Sequence, residues 1–251
     1  MTDQVPARRP WIVGVSGASG TPYARAVVNA LLDADLPVDL IISRAARLTI
    51  LDETGISFRD NHWDSDLATW LDRAAGAASR AGGASRAGGA GRAGGAGRAG
   101  GADGSAGADG SAGDLRYWSA TDLAAGPSSG SYPARGMVVV PASTAAVAGI
   151  AIGLSKDLLQ RAADVTLKER RPLVVVPRET PYTRSTLQHL IELHDAGAVV
   201  LPASPAFYAG AGSVQQLVDF VAAKVLDVIS VPHDLITRWS GRLGAGRITG
   251  S

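Results

Sequence analysis

Short apolar runs alternate with segments of helical spacing along this chain, and this alternation constrains its fold more than any other feature. The apolar runs cover residues 11–15, 38–42, 137–140, 173–176 and 199–201, and a short extra strand is expected near 115–118. The helical segments cover residues 22–32, 44–53, 144–152, 158–170, 183–195 and 214–229. Continuous Val and Ile runs are typical of strands covered on both faces. The sequence therefore predicts an α/β fold with a doubly wound, mostly parallel sheet in a Rossmann-like three-layer sandwich.

A six-residue repeat interrupts this pattern. Residues 79–113 contain Ala, Gly, Ser, Arg and Asp but no Val, Ile, Leu or Phe. A hexapeptide β-helix needs an aliphatic residue in each repeat, and a segment without such side chains cannot offset its ordering entropy by burial. We therefore predict one domain over residues 1–251, with a flexible surface insertion at about 74–113. A contact between its evenly spaced arginines and an anionic partner is the alternative interpretation.

Composition narrows the functional classes. The chain has no cysteine, which excludes disulfides, thiolate metal sites and cysteine nucleophiles. Its net charge is +1 and residues 74–113 contribute +2, so the remaining chain carries 1 − 2 = −1. That balance does not indicate nucleic acid or an anionic membrane as a partner. The four histidines lack metal-ligand spacing, and no apolar run suits a signal peptide or a membrane span. We therefore expect a cytoplasmic protein without a metal site.

The first predicted strand ends in a glycine-rich turn, GVSGASGTP at residues 14–22. Gly17 and Gly20 permit a tight turn, and Pro22 suits the first turn of a helix whose free N–H groups favour an anion. The glycine spacing differs from the dinucleotide pattern G-x-G-x-x-G, and Ser43-Arg44 stands where an NAD-binding domain usually offers an acidic residue. The turn therefore favours a nucleotide other than NAD. A glycine turn that serves packing alone is the alternative.

The ends of the other predicted strands are polar as well. Ser43 closes the second strand, Ser143 and Thr144 close the third, and Arg178 and Glu179 close the fourth. Because the carboxyl ends of parallel strands meet at one edge of a sheet, these residues are expected to line one ligand site. Taken singly, each serine could be a helix N-cap and the Arg178-Glu179 pair a surface ion pair.

These motifs resemble those of the bacterial flavin prenyltransferases, a family that converts reduced FMN to prenylated FMN. The similarity covers the chain apart from its two ends and residues 74–113. The matching motifs are VSGASG with Tyr23, ISRAA at 42–46, SSGS at 128–131, PAS at 141–143, RAADVTLKERRPLVVVPRETP at 161–181, AGAVVLPASPAFY at 196–208 and LVDFVAAKVLD at 217–227. The resemblance implies the sheet architecture of a flavoprotein.

The resemblance also implies roles for individual positions. The positions expected to hold FMN are Gly17, Ala18, Ser19, Ser43, Arg178 and the turn Ser143, Thr144, Ala145 and Ala146. The positions expected around the donor, dimethylallyl phosphate, are Arg161, Lys168, Arg178, Glu179, Tyr208, Lys224 and Trp239. The implied catalytic positions are Ser19, Glu53, Lys168 and Glu179. Ala146 departs from the family pattern, which has a threonine there.

The reaction implied is transfer of a dimethylallyl group to N5 and C6 of reduced FMN. The chain lacks the aspartate-rich metal motifs of terpene-type enzymes, so fixed cations must stabilise the departing phosphate. Glu179 or the phosphate itself would act as the acid or base. The resemblance further implies a homo-oligomer, a dodecamer, with sites at subunit contacts. It also implies a prenyl-FMN-dependent decarboxylase that receives the product. The alternatives are a flavin-dependent cysteine decarboxylase of the same fold and a non-catalytic FMN carrier.

Overall fold

Six parallel strands form one sheet in the order β3-β2-β1-β4-β5-β6. This computed structural model describes residues 8–73, 114–207, 211–238 and 241, so the predicted insertion at 74–113 lies outside the described residues. The strands are β1 (Trp11–Val15), β2 (Val38–Ile42), β3 (Leu115–Ser119), β4 (Gly136–Ala142), β5 (Leu173–Pro177) and β6 (Val199–Val200). The prediction of a doubly wound parallel sheet is confirmed.

Helices connect the strands and cover both faces of the sheet. They are α1 (Thr21–Asp33), α2 (Arg44–Thr54), α3 (Trp63–Leu71), α4 (Thr144–Ala151), α5 (Leu158–Lys168), α6 (Arg184–Asp195) and α7 (Val214–Val228). Each predicted helix falls on one of these, but α3 was not predicted. Its Trp70 is fully buried and Trp63 stacks on Tyr117, so both tryptophans of this helix serve packing.

Two apolar cores lie on opposite faces of the sheet. Alternate residues of each strand point into them: Val138 and Val140 into the core under α1, α3 and α7, and Met137 and Val139 into the core under α4, α5 and α6. Full burial of each such side chain contributes about 1.5–3 kcal/mol. Burial on both faces explains why β1, β2, β4 and β5 contain continuous runs of Val, Ile and Leu rather than an alternating pattern.

The strand order reverses between β1 and β4, which are neighbours in the sheet although β2 and β3 lie between them in sequence. At such a switch point the loops after the two strands diverge to opposite faces and leave a crevice at the carboxyl edge. The loop after β1 begins at Ser16, and the loop after β4 begins at Ser143. The crevice between them is therefore where a ligand site is expected.

Candidate active site

Close backbone approach shapes the loop between β1 and α1. A Cβ atom on Gly17 would overlap the Cβ of Ala45 in the loop after β2, so only glycine lets these two loops touch. Gly20, the residue before α1, has a φ of 109°, which favours glycine because it is left-handed. The glycine-rich turn thus has a structural requirement at both positions, and it exposes Ser19 at the carboxyl edge of the sheet.

A buried serine joins the two loops of the crevice. The Ser16 hydroxyl donates to the carbonyl oxygen of Pro141 at 2.8 Å and accepts from the N–H of Ser143 at 2.7 Å. The N–H of Ser16 also donates to the Pro141 carbonyl at 3.2 Å. The sequence interpretation missed Ser16 as a positioning residue. The available signal was its place as the first residue after β1, where a hydroxyl can reach the neighbouring strand end.

Ser43 and Ser143 are both helix N-caps. Ser43 Oγ accepts from the N–H of Ala46 at 3.1 Å, and Ser143 Oγ accepts from the N–H of Ala146 at 3.2 Å. In this role the hydroxyl uses a lone pair, so its own proton remains available for a ligand oxygen. Capping and ligand binding are therefore compatible at both positions. Ala146 itself is buried and, being alanine, offers only its backbone groups to this turn.

Glu53 closes the amino end of α1. Its carboxylate accepts from the N–H of Gly20 at 2.7 Å, from the N–H of Thr21 at 2.8 Å and from the Thr21 hydroxyl at 2.6 Å. Burial raises the pKa of Glu53, but the hydrogen bonds from Thr21, Ser19 and Gly20 outweigh it and hold the pKa below its ordinary value. The expectation that the first N–H groups of α1 are free for a ligand anion is therefore wrong for Gly20 and Thr21, because an ionised side chain occupies them.

Arg178 reaches from the end of β5 to the first loop. Its Nε donates to the carbonyl oxygen of Ser19 at 2.9 Å, and its N–H donates to Ala142 at the end of β4. Tyr23 lies beside Arg178, and the pKa of its phenol is raised. Burial is the largest cause, Glu53 adds to it, and the positive charge of Arg178 opposes it. Arg178 therefore joins the ends of β4 and β5 to the first loop, and Tyr23 is a neighbour that the predicted site did not include.

Glu179 stands next to Arg178 on the exposed carboxyl edge. Its carboxylate accepts from the N–H of Thr180 at 2.9 Å. The carboxylate also raises the pKa of Tyr182, after the larger effect of burial. Glu179 is exposed, so it can exchange a proton with a ligand or with water.

Arg161 and Lys168 have their hydrogen-bond partners outside this crevice. Arg161 donates through Nε to the carbonyl oxygen of Ser128 at 3.1 Å and forms an ion pair with Asp164 at 2.9 Å. Lys168, the last residue of α5, forms an ion pair with Glu169. The chain then enters β5, so Lys168 lies near the amino edge of the sheet whereas Arg178 lies at the carboxyl edge. Four residue steps of β5 separate the two edges by about 13 Å.

Lys224 belongs to a polar group at the end of α7. Its Nζ donates to Asp227 at 3.4 Å, and Asp227 also accepts from Arg238 at 2.8 Å and contacts His233 Nε2 at 3.1 Å. The hydrogen bond from Arg238 is the main cause that lowers the pKa of Asp227 to about 2. Tyr208 and Trp239, the two aromatic positions predicted around the donor, lie outside the described residues.

Two negative observations apply to the described part of the chain. Within residues 8–73, 114–207 and 211–238, no group of three or more His, Asp or Glu side chains could hold a metal ion. No helix in the same ranges is both long enough and apolar enough to cross a membrane.

Comparison with known proteins identifies the family. A family model described as Flavoprotein matches residues 2–226. The flavin prenyltransferase UbiX of Streptomyces coelicolor is 60% identical over 241 residues, which cover 96% of this chain and 100% of that protein. The solved structure of AnUbiX (PadA1) in complex with FMN and dimethylallyl pyrophosphate has a TM-score of 0.70 and 31% identity, over 94% of this chain and 99% of that chain. A dodecameric FMN-dependent UbiX-like decarboxylase from Escherichia coli O157:H7 has a TM-score of 0.69 and 31% identity, over 92% of this chain and all of that chain. The resemblance drawn from the sequence motifs is thereby confirmed: the chain belongs to the flavin prenyltransferase family of flavoproteins.

Proposed function

We propose that this protein transfers a dimethylallyl group from dimethylallyl phosphate to N5 and C6 of reduced FMN and so makes prenylated FMN. The observation that carries this proposal is the convergence of the glycine turn, two N-cap hydroxyls and Arg178 at one crevice of the sheet, in a chain 60% identical to a flavin prenyltransferase. These groups follow four different strands. If each served only local packing or capping, there would be no reason for all of them to lie at the same crevice.

The residues at the crevice suit an anionic nucleotide. Glycine at position 17 lets the first loop pack directly against Ala45 after β2, so the two loops lie together at this edge. The free protons of Ser43 and Ser143 can donate to phosphate or flavin oxygens, and Arg178 adds a fixed cation. We assign FMN binding to these residues, to Ala18 and Ser19 of the first loop, and to the remainder of the Ser143 turn, which consists of Thr144, Ala145 and Ala146.

The reduced flavin supplies the nucleophilic N5 and C6 positions. The protein's part is to hold the reactants and to manage charge and protons around them. Glu53 fixes the first loop through Gly20 and Thr21 and keeps a negative charge next to Ser19, so it orients that hydroxyl. When the allylic C–O bond of the donor breaks, the electron pair leaves with phosphate, and fixed cations stabilise it. Glu179, exposed beside Arg178, is placed to take the proton released at C6.

Lys168 and Arg178 lie at opposite edges of the sheet within one chain, with about 13 Å of β5 between those edges. We propose that a second copy supplies Lys168 together with Arg161 of the same helix, so that each site combines the carboxyl edge of one subunit with the α5 of another. Exposed apolar side chains on the described surface suit such contacts, since monomers rarely leave many uncovered. They include Ile152, Leu154, Leu187, Ile191, Phe207 and Val214.

The larger organisation follows from the same proposal. A dodecamer would place many such sites at subunit contacts, and a prenyl-FMN-dependent decarboxylase would receive the product. Tyr208, Lys224 and Trp239 would complete the donor pocket from the chain's last third. We take the chain as one flavoprotein domain in which residues 74–113 are an insertion outside the motifs.

A cysteine decarboxylase is the less favoured candidate. The turn of those enzymes has an asparagine, whereas this chain reads PASTAA at residues 141–146. They also use a catalytic histidine, but His189 pairs with Glu192 and His233 with Asp227, away from the crevice.

Anaerobic incubation of the protein with reduced FMN and dimethylallyl phosphate, followed by mass spectrometry of the flavin, tests the proposal. We expect a flavin heavier by one dimethylallyl group in place of a hydrogen, with ring closure visible in its absorption spectrum. Dimethylallyl pyrophosphate, assayed in parallel, decides which donor is used. Recovery of unmodified FMN from flavin-loaded protein with both donors would favour the carrier function instead.

A further inference from the structure

Two charged side chains hold the same peptide group in the loop between β1 and α1. The carbonyl oxygen of Ser19 accepts from Arg178 Nε at 2.9 Å, and the N–H of Gly20 donates to Glu53 Oε1 at 2.7 Å. Both groups belong to the peptide unit that joins Ser19 to Gly20. A cation therefore faces the negative end of this unit and a carboxylate faces its positive end. We call Arg178, this peptide unit and Glu53 the peptide clamp.

The peptide clamp keeps two opposite charges close to each other without direct contact. A trans peptide unit directs its oxygen and its N–H to opposite sides, and the clamp as a whole puts Arg178 Nε within roughly 8 Å of the Glu53 carboxylate. The two side chains form no ion pair with each other. Opposite charges at this separation attract each other at a protein surface, and an arginine side chain is long enough to close the gap. Their separation therefore needs a physical cause.

The ring of Tyr23 lies directly against Gly20, on the side from which Arg178 approaches. A Cβ atom on Gly20 would lie 2.8 Å from Cδ2 and 2.9 Å from Cε2 of Tyr23, and 3.9 Å from Cγ of Arg178. The aromatic ring and the stem of the arginine thus share one side of Gly20. Glycine at position 20 is required for this ring contact as well as for its φ of 109°.

Tyr23 is held firmly in this place. It lies in the first turn of α1, its N–H donates to the carbonyl oxygen of Gly20 at 3.0 Å, and its half-buried side chain packs against the core under α1, α3 and α7. Its phenol is close enough to both members of the clamp to respond to their charges, since Glu53 raises its pKa and Arg178 lowers it, after the larger effect of burial. The net shift is upward, so the phenol is neutral at physiological pH. A neutral, rigid ring beside both charges is suited to keep them apart.

We propose that Tyr23 is a positioning residue whose ring holds the peptide clamp open, so that Arg178 keeps its two terminal nitrogens for acceptor oxygens of FMN. This inference rests on the proposed function, which assigns Arg178 to the FMN site. Within the described part of the chain, the guanidinium group of Arg178 donates only through Nε, and its two Nη groups have no hydrogen-bond partner. Without the ring, the Glu53 carboxylate would take those donors and FMN would lose them.

The peptide clamp predicts an effect that packing alone does not produce. If Tyr23 only filled the core, its replacement would weaken FMN binding equally with glutamate and with glutamine at position 53. If its ring separates the two charges, loss of the ring is harmful only while an ionised Glu53 attracts Arg178. The effect of a Tyr23 variant should then largely disappear in the Glu53→Gln background.

The experiment is a double-variant cycle, measured by fluorescence titration of FMN into the full-length oligomeric protein from which flavin has been removed. Tyr23→Leu keeps an apolar side chain against the core but removes the flat ring. We expect it to raise the Kd of FMN about tenfold or more, the effect of losing a hydrogen bond from a charged donor. In the Glu53→Gln background, the same substitution should change the Kd less than about twofold.

Tyr23→Phe is the matched control, because it keeps the ring and removes only the hydroxyl. Its Kd for FMN should stay within about twofold of wild type. Riboflavin, titrated in parallel, shows which oxygens Arg178 contacts. A defect of Tyr23→Leu with FMN alone assigns Arg178 to the phosphate, and a defect with both ligands assigns it to the carbonyl oxygens of the flavin ring.

If Tyr23→Leu does not assemble, Tyr23→Met replaces it in the cycle, since an unbranched side chain adapts to the core. An unchanged Kd in the variant without the ring overturns the inference, and so does a loss of the same size with glutamate and with glutamine at position 53. An equally large loss in Tyr23→Phe would assign the effect to the hydroxyl and also overturn it. Flavin binding that follows the cycle, in protein that makes no prenylated FMN, would overturn the proposed function and leave the role of Tyr23 intact. If wild-type protein binds no FMN, both are overturned.

Discussion

Replacing Glu53 by glutamine tests how the glycine turn is held at the crevice. The carboxylate accepts three hydrogen bonds of 2.6–2.8 Å, one from Gly20 on Oε1 and two from Thr21 on Oε2. A glutamine oxygen can keep the Thr21 side, but its amide nitrogen then faces the N–H of Gly20. The variant thus sets two donors against each other at the end of α1 and removes a negative charge from the helix amino terminus.

The magnitude follows from these contacts. An unsatisfied N–H of this kind costs about 1–3 kcal/mol. The variant also converts charge-assisted hydrogen bonds to neutral ones and loses the interaction with the helix dipole. Together we expect the free energy of unfolding to fall by about 2–4 kcal/mol for this half-buried group. For a chain of this size we expect a melting temperature lower by roughly 4–16 °C.

The lowered pKa of Glu53 also determines how the stability difference between wild type and Glu53→Gln depends on pH. The folded pKa of Glu53 is lowered, so its stabilisation is fully present above the unfolded value near 4.5 and is lost as pH falls through the folded pKa. The gap between wild type and Glu53→Gln should therefore be constant from neutral pH to about 5 and shrink below 4.5.

Urea denaturation followed by tryptophan fluorescence at several pH values, together with FMN titration, is the assay. Asp52→Asn is the control, because Asp52 is an exposed carboxylate on the same helix. Equal stability of Glu53→Gln and Asp52→Asn, or a gap between wild type and Glu53→Gln that persists unchanged at pH 3.5, would refute the capping role. A stable Glu53→Gln with impaired prenyl transfer would leave Glu53 as a catalytic group only.

Three further predictions address other parts of the site. Ser16→Ala leaves the N–H of Ser143 without its buried acceptor, and we expect about 1–3 kcal/mol lower stability and weaker FMN binding, measured by urea denaturation and flavin titration; unchanged values for both would remove Ser16 from the site. Asp227→Asn should lower the free energy of unfolding by about 1 kcal/mol, a value discounted for the partial exposure of Asp227. Because the folded pKa of Asp227 is about 2, the stability difference from wild type should decline as pH falls from 3.8 towards 2. A difference that does not change with pH would show that the charge of Asp227 is not its cause. Lys168→Gln and Arg178→Lys subunits, each inactive alone, should regain about a quarter of wild-type activity when co-assembled in equal amounts, whereas a site built within one chain would stay inactive.

Local signals in the sequence were sufficient for the sheet and for most helices. Aliphatic runs marked β1, β2, β4, β5 and β6, because burial on both faces leaves no polar alternation to obscure the pattern, whereas β3 reads LRYWS and was expected only as a short extra strand. Helix α3 was not predicted: Trp63, Leu67, Trp70 and Leu71 recur at helical spacing, but the helix has only nine residues and is soon followed by a repeat without aliphatic side chains. The N-caps at Ser43 and Ser143 were also visible, because a serine directly after a strand and before a helix has few other local uses.

Contacts between distant residues were beyond local signals. Glu53 lies 33 residues from Gly20, and Ser16 lies 125 residues from Pro141, so no spacing rule connects either pair. Both contacts form because the parallel strands bring their carboxyl ends together at one edge of the sheet. The hydrogen bond of the buried Asp39 could not be predicted either. Its partner, Tyr132, lies 93 residues away in the sequence.

The separation of Lys168 from Arg178 follows from the sheet topology alone. In a parallel sheet, a residue between the end of a helix and the start of the next strand lies at the amino edge, and a residue just after that strand lies at the carboxyl edge. The stretch from Lys168 to Glu179 spans β5 completely, so its two charged groups must face opposite ends of the sheet in one subunit. If both groups contact one donor phosphate, as proposed above, they do so across a subunit contact. The co-assembly experiment measures this directly, because only a site built from two chains regains activity when the two inactive variants are mixed.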